Sequence, residues 1–232
     1  EQRFLDYKAI AFKGGAFNKL IEKGTAIVDI GGGSIQLSLF DKDTLISTQN
    51  LRLGVLRIRD YLNHLDVGRA QYGMLIGELV DSQLALFRKL YLKEKQITNI
   101  IVVDDYISHL MQKKFVSGET AGQVEVEAFH QFMRQLQEKT PQELTHTFDM
   151  PEESVILLYI SYLLLSRIIA VMDAKQLWAP GVTLCDGIAY EYAEKNKIIL
   201  PNHNFEQDII ACTQNISKRY RGSRKRGETL EK

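Results

Sequence analysis

Ile27-Val28-Asp29-Ile30-Gly31-Gly32-Gly33-Ser34-Ile35-Gln36-Leu37 is the stretch that decides how the rest of the chain is read. A short apolar run enters three consecutive glycines. A run alternating with period two leaves them, so that Ile35, Leu37 and Leu39 fall on one face of a strand spanning Ser34 to Phe40. Three adjacent glycines at a tip between two strands are costly unless the backbone must adopt positive φ or approach another atom closely. A β-turn needs only one or two. Successive N–H groups presented to one point make a nest suited to phosphoryl oxygens. Ser34 adds a hydroxyl donor, and Asp29, ending the first strand, can hold a divalent cation or its waters beside a phosphate. On spacing alone, a glycine-rich hairpin whose Asp29 merely caps the turn is the competing reading. The chain has no G-x-x-x-x-G-K-[ST] loop and no G-x-G-x-x-G element opening a helix.

Working outward, Ala26 to Ile30 reads as the first strand, Asp41-Lys42-Asp43 as a turn, and Thr44 to Leu53 as a third strand. No element is predicted before Gly24. A helix follows over Val55 to Asn63, and a longer one over Arg69 to Lys93 carries Leu75, Leu79, Leu86 and Leu90 on one face. Ile97 to Val103 is a β-branched run too short for a helix and reads as a buried strand. Helices are expected at Asp105–Lys114 and Glu125–Glu138. Another should begin at Thr140-Pro141-Gln142-Glu143, which has the spacing of a capping box with Pro at the first helical position. A long helix opens at Pro151 and ends near Asp173. The strand Gln176–Ala179 and helices at Asp186–Lys195 and Asn204–Tyr220 complete the order, which is α/β with helices covering the sheet.

Composition supports a packed core: the chain has 232 residues, 45% of them hydrophobic. Lys plus Arg and Asp plus Glu both number 29, so no global field draws the chain to nucleic acid or membrane. Val155 to Met172 is almost continuously apolar, but Ser161, Ser166 and Arg167 interrupt it. An arginine near the centre of a span costs roughly 2.5–3.5 kcal/mol on insertion scales, so a buried helix is expected rather than a membrane span. The two cysteines, Cys185 and Cys212, suit a reducing, cytoplasmic location, with Cys185 read as a buried structural thiol. Trp178 beside Pro180 reads as core. The five histidines are scattered without an H-x-x-x-H pair, which argues against zinc. The start, Glu1-Gln2-Arg3-Phe4-Leu5-Asp6-Tyr7, has neither initiator Met nor signal sequence and reads as an internal piece of a longer protein.

The placement of glycines between two antiparallel strands resembles the actin, sugar-kinase and heat-shock-chaperone superfamily. Ala26–Ser34, followed about twenty residues on by Leu51-Arg52-Leu53-Gly54-Val55-Leu56-Arg57, is similar to the second phosphate-binding segment of Ppx/GppA (exopolyphosphatase/guanosine pentaphosphatase) enzymes. Glu1-Gln2-Arg3-Phe4 resembles that family's Glu-x-Arg-hydrophobic element, and Gly181 to Tyr190 its terminal loop and helix.

The resemblance implies an actin-like (ribonuclease H-like) α/β domain with a mixed sheet covered by helices. It places residues 1–200 in the second of two such domains, and 201–232 in a C-terminal helical tail that starts a further helical domain. The implied activity is release of terminal phosphate from inorganic polyphosphate or guanosine pentaphosphate in a cleft between two domains. Glu1 would be the general base for the attacking water, Gly31, Gly32, Gly33 and Ser34 would hold phosphate, and Asp29 would hold Mg²⁺ or another divalent cation and share in catalysis. The implied partners are polyphosphate or a phosphorylated guanosine nucleotide, with a homodimer as one candidate assembly and neither DNA nor membrane involved. Two positions depart from the family pattern. Gln36 stands where the family has a glutamate, and an amide can neither act as a base nor hold a metal by charge. Asp104-Asp105 follows the strand where a small turn is expected; two carboxylates there would repel a polyanion, or serve as ordinary turn residues or a helix N-cap. A phosphate-ligand sensor without catalysis and an actin-like kinase are the competing functions.

Overall fold

The structure, a computed structural model, describes residues 2–65, 68–92, 95–116 and 121–223. Six strands form one mixed sheet: β1 (Thr25–Ile30), β2 (Ile35–Asp41), β3 (Thr44–Leu51), β4 (Asn99–Val103), β5 (Gln123–Glu125) and β6 (Gln176–Trp178), in the order β3-β2-β1-β4-β6-β5. β2 is antiparallel to β1 and β3, β4 runs parallel to β1 and β6, and β5 is antiparallel to β6. A meander feeding parallel strands with helical crossovers is the actin-like arrangement, as the sequence predicts. β1 is buried at all six residues, as a central strand covered on both faces must be.

Two helices precede the sheet, α1 (Gln2–Phe12) and α2 (Gly15–Ile21), where no element is predicted. The others are α3 (Val55–His64), α4 (Arg69–Phe87), α5 (Asp105–Lys114), α6 (Val126–Gln137), α7 (Pro141–Phe148), α8 (Glu152–Met172), α9 (Leu184–Lys195) and α10 (Phe205–Arg219). α4 gives way to a π-helical turn at Arg88–Leu92, and the predicted end at Lys93 lies outside the described residues. α9 starts two residues earlier than predicted: Thr183 caps it in a reciprocal box with Asp186. The capping box predicted at Thr140 forms, with the Thr140 N–H donating to Glu143 Oε2 at 2.7 Å. β5 lies where a loop is expected.

The two faces of the sheet carry different cores. Ala26, Val28 and Ile30 from β1, with Ile35, Leu37 and Leu39 from β2, pack against α3, α4, α5 and α8 in the larger one. The alternation therefore sends Gln36 and Ser38, with Asp29 and Ile27, to the opposite face. There α1, α2, α9 and α10 enclose a smaller, aromatic core built on Tyr7, Phe17, Phe40, Trp178, Tyr190 and Phe205. α8 is the one helix among the described residues long and apolar enough to cross a membrane, but it lies against α3, α4, α5 and α7 and buries Leu157, Leu158, Ile160, Leu164, Leu165, Ile168 and Ile169. α10 runs along edge strand β3 and satisfies two of its backbone groups. The Leu45 N–H donates to Asp208 Oδ1 at 3.0 Å, and Asn215 Nδ2 donates to the Ile46 carbonyl at 3.1 Å. Cys185 is exposed on the first turn of α9, contrary to the expectation of a buried thiol, and Cys212 is buried under α10. The first turn of a surface helix simply leaves the Cys185 side chain outward.

Candidate functional site

The loop Gly31–Ser34 joins β1 to β2 and lies against the first turn of α3. An α-helix begins with N–H groups that lack helical partners, and Gly54 at the N-cap has no side chain to supply one. The loop supplies them instead. Val55 N–H donates to the Gly31 carbonyl at 3.1 Å, and Leu56 and Arg57 N–H donate to the Gly32 carbonyl at 3.0 and 3.1 Å. Arg57 Nε donates to the Gly33 carbonyl, also at 3.1 Å. In a trans peptide the carbonyl of one residue and the N–H of the next point in opposite directions, and no peptide bond among the described residues is cis. With the carbonyls of Gly31, Gly32 and Gly33 turned to α3, the N–H groups of Gly32, Gly33 and Ser34 therefore point away from it. None of those three finds an acceptor among the described residues.

Close approach, rather than left-handed backbone, explains Gly31 and Gly32, the latter because a Cβ would lie 2.9 Å from Leu56 Cδ1. None of the three has φ in the left-handed region. A Cβ on Gly31 would lie 2.8 Å from Arg3 Nη2, whereas one on Gly33 would meet nothing within 4 Å, so the tip stays open to an incoming group. Gly54 is the tightest of the glycines around this loop: a Cβ there would sit 2.2 Å from the Gly32 carbonyl oxygen.

Arg3, whose place in the Glu-x-Arg-hydrophobic element is its signal in the sequence, anchors the loop. From the first turn of α1, its Nη1 donates to the Asp29 carbonyl at 2.7 Å and forms an ion pair with Asp29 Oδ1. Its Nη2 donates to the Ser34 carbonyl at 2.8 Å and to Ser34 Oγ at 3.3 Å. A guanidinium thus ties α1 to both ends of the glycine loop, and Arg57 stands on the other side.

Asp29 lines a narrow cleft between α1 and the sheet with Arg3, Asp6, Tyr7 and Gln36. Burial pushes its carboxyl up to about 7, with Arg3 opposing and Asp6 and Asp104 adding to the rise. Oδ2 is buried without a hydrogen-bond partner. Such a carboxyl can exchange a proton near neutrality or, once ionised, offer one oxygen to a cation. Among the described residues no three His, Cys, Asp or Glu side chains converge as a complete metal site. Asp29 Oδ2 is one unpartnered oxygen, which would serve a divalent cation as a single ligand.

Asp104 does not line the cleft, although its charge adds to the rise of Asp29. It caps α5, accepting from the Tyr106 and Ile107 N–H groups at 2.9 and 2.6 Å and from Ser161 Oγ at 2.8 Å, so of the two readings of this pair the N-cap holds. It is buried rather than solvated, and burial raises it to about 6. Gln36 faces Asp29 across the β1–β2 ladder, so an amide does occupy the position beside the carboxyl. Glu1, the expected general base, lies outside the described residues. Wider openings exist, including an apolar groove between α6, α7 and α8, but they are remote from the glycine loop.

The Ppx/GppA phosphatase family matches the sequence over residues 10–196, a span that takes in the glycine loop and α9 but not Arg3 or α10. No curated protein sequence matches the chain. Among solved structures, the Ppx/GppA family member of Aquifex aeolicus aligns with a TM-score of 0.63 at 14% identity, over 84% of this chain and 63% of its own. An exopolyphosphatase from Cytophaga hutchinsonii aligns with a TM-score of 0.62 at 16% identity, over 82% of this chain and 64% of its own. At such identities the structures speak for the fold alone, and the chain spans less than two thirds of the length of either. With most of the sequence matched and the fold shared, this chain belongs to the Ppx/GppA phosphatase family.

Proposed function

We propose that this chain is the glycine-loop half of a phosphoanhydride hydrolase that removes terminal phosphate from inorganic polyphosphate or guanosine pentaphosphate, its cleft completed by a second actin-like domain. The observation that carries this reading is the set of three outward N–H groups at Gly32, Gly33 and Ser34, in a loop that Arg3 holds at both ends and Arg57 holds from the carbonyl side. Preorganised donors of this kind stabilise a phosphoryl group as charge builds on its oxygens. Asp29 Oδ2 would hold a Mg²⁺ ion, which when bound supplies positive charge against the phosphate oxygens. Arg3 orients Asp29 and the loop, and the buried carboxyl excludes all but a narrow approach. Glu1 remains the proposed base.

Gln36 favours a second reading, a phosphate-ligand sensor of the same fold, because the cleft holds an amide where hydrolysis would use another carboxylate. Phosphate release from long-chain polyphosphate with Mg²⁺ separates the two. The hydrolase reading expects the complete protein to turn over, Asp29→Asn to abolish turnover, and the isolated 232-residue chain to release almost nothing. An inactive complete protein that Gln36→Glu activates supports the sensor. Rapid hydrolysis by the isolated chain refutes the division of the cleft between two domains.

A further inference from the structure

Tyr7, His203 and Asp208 form a closed hydrogen-bonded triangle lying outside the span matched to the family. Tyr7 Oη donates to Asp208 Oδ2. His203 Nε2 lies 2.6 Å from the same carboxylate oxygen and 2.7 Å from Tyr7 Oη. The second oxygen, Oδ1, accepts from the Leu45 N–H of β3 at 3.0 Å. Asp208 is 2% exposed, and the rings of Phe17, Phe40 and Phe205 stand 6.0, 5.5 and 5.1 Å from that of Tyr7. A carboxylate buried among aromatics is costly unless both oxygens are engaged, and here they are. Burial alone would raise the Asp208 carboxyl, but the bonds from His203, Tyr7 and Leu45 outweigh it and hold the carboxyl below its ordinary value. Burial and then Asp208 raise the Tyr7 hydroxyl, which therefore keeps its proton as the donor.

The position of Tyr7 gives the triangle a consequence beyond stability. Tyr7 stands one helical turn after Arg3, so both side chains leave the same face of α1, and Tyr7 lines the cleft that holds Asp29 and Gln36. Arg3 sits in the opening turn of α1, where backbone hydrogen bonds are incomplete. Its reach to Asp29 and Ser34 depends on how that turn is held. Phe4 adds an edge contact to Phe205, at 5.7 Å between centroids, so the same C-terminal segment grips α1 at two successive residues of the face.

We propose that His203 and Asp208 are positioning residues for Arg3: acting through Tyr7, they fix the face of α1 from which Arg3 reaches Asp29 and the glycine loop. In functional terms the claim rests on the reading that this loop binds a phosphoryl group. It makes the segment carrying α10 a part of the site's support, although that segment is far from the loop in sequence.

The test uses the whole 232-residue chain, with the Arg3 guanidinium resonances as one readout and tripolyphosphate affinity as the other. The wild type is expected to give separate, restrained Arg3 Nη signals, and Tyr7→Phe, which removes one oxygen, to average them. Tripolyphosphate affinity should fall about threefold to tenfold in Tyr7→Phe, and adding Tyr7→Phe to Arg3→Ala should change it by less than about twofold. Asp208→Asn should act in the same way; if it does not fold, Tyr7→Phe carries the test. Unchanged Arg3 signals in a folded Tyr7→Phe variant overturn the proposal, as do equal affinity losses with and without Arg3, which would mean general structural damage. If the wild type does not bind tripolyphosphate, the reading of the loop fails, while the Arg3 resonances still decide whether the triangle positions that residue.

Discussion

The two faces of the sheet divide the molecule's labour. Beneath α3, α4, α5 and α8 the residues are almost wholly apolar, and the one buried carboxylate there among the described residues, Asp104, is consumed by a helix cap and Ser161. Beneath α1, α2, α9 and α10 the smaller core encloses Asp6, Lys8, Asp29 and Asp208. Charges are expensive to bury: Lys8 pairs with Glu194 at 2.9 Å, Asp208 is held by Tyr7 and His203, and Asp29 Oδ2 is left open. One face holds the domain together, and the other holds charged groups ready at the end of β1.

The largest expected effect comes from damaging the apolar face. Leu164 is fully buried, and Leu164→Ala should cost about 2–5 kcal/mol in urea unfolding while the folded fraction keeps its tripolyphosphate affinity. A specific loss of affinity at unchanged stability would erase the distinction between the faces.

Asp29→Asn should have the opposite sign. The carboxyl of Asp29 titrates near 7 in the fold, above the ordinary 3.8. Between those values the native state binds more protons than the unfolded state, so stability falls as pH rises through that window and stays low above it. Removing the charge should therefore stabilise the chain by on the order of a few kcal/mol at pH 8 and by almost nothing near pH 4. Chemical denaturation at both pH values checks this, and a gain that persists at pH 4 would contradict the cause assigned.

The smallest of the three acts where the faces meet. Gly54→Ala brings a methyl group against the Gly32 carbonyl and should cost about 1–3 kcal/mol, with disproportionate loss of tripolyphosphate binding because the loop itself must shift. Thermal melts and calorimetry on the same samples would sharpen the contrast with Leu164→Ala.

The apolar face was legible in the sequence for the same reason that it is stable. Ile35, Leu37 and Leu39 alternate, and α8 is a nearly unbroken apolar run, so periodicity reports their burial directly. α1 escaped because the residues it buries include Asp6, Tyr7 and Lys8, and a helix with charges on its inner face leaves no apolar stripe. The glycine loop stands out in the sequence by its three consecutive glycines, but the crowding by Arg3 and α3 that requires Gly31 and Gly32 is encoded in no local pattern. The Tyr7–His203–Asp208 triangle joins residues about two hundred positions apart, and His203 alone looked like one more scattered histidine.

The central claim is that Gly32, Gly33 and Ser34 present their N–H groups to a phosphoryl group on the side of the loop away from α3, with Arg3 holding the loop in place. Amide ¹H–¹⁵N spectra recorded while tripolyphosphate is added with Mg²⁺ test it most directly. The three amide protons should move downfield together and saturate, and Arg3→Ala should weaken the saturation about tenfold or more. Saturating shifts elsewhere in the chain with these three amides unmoved, or no binding at all, would contradict the account.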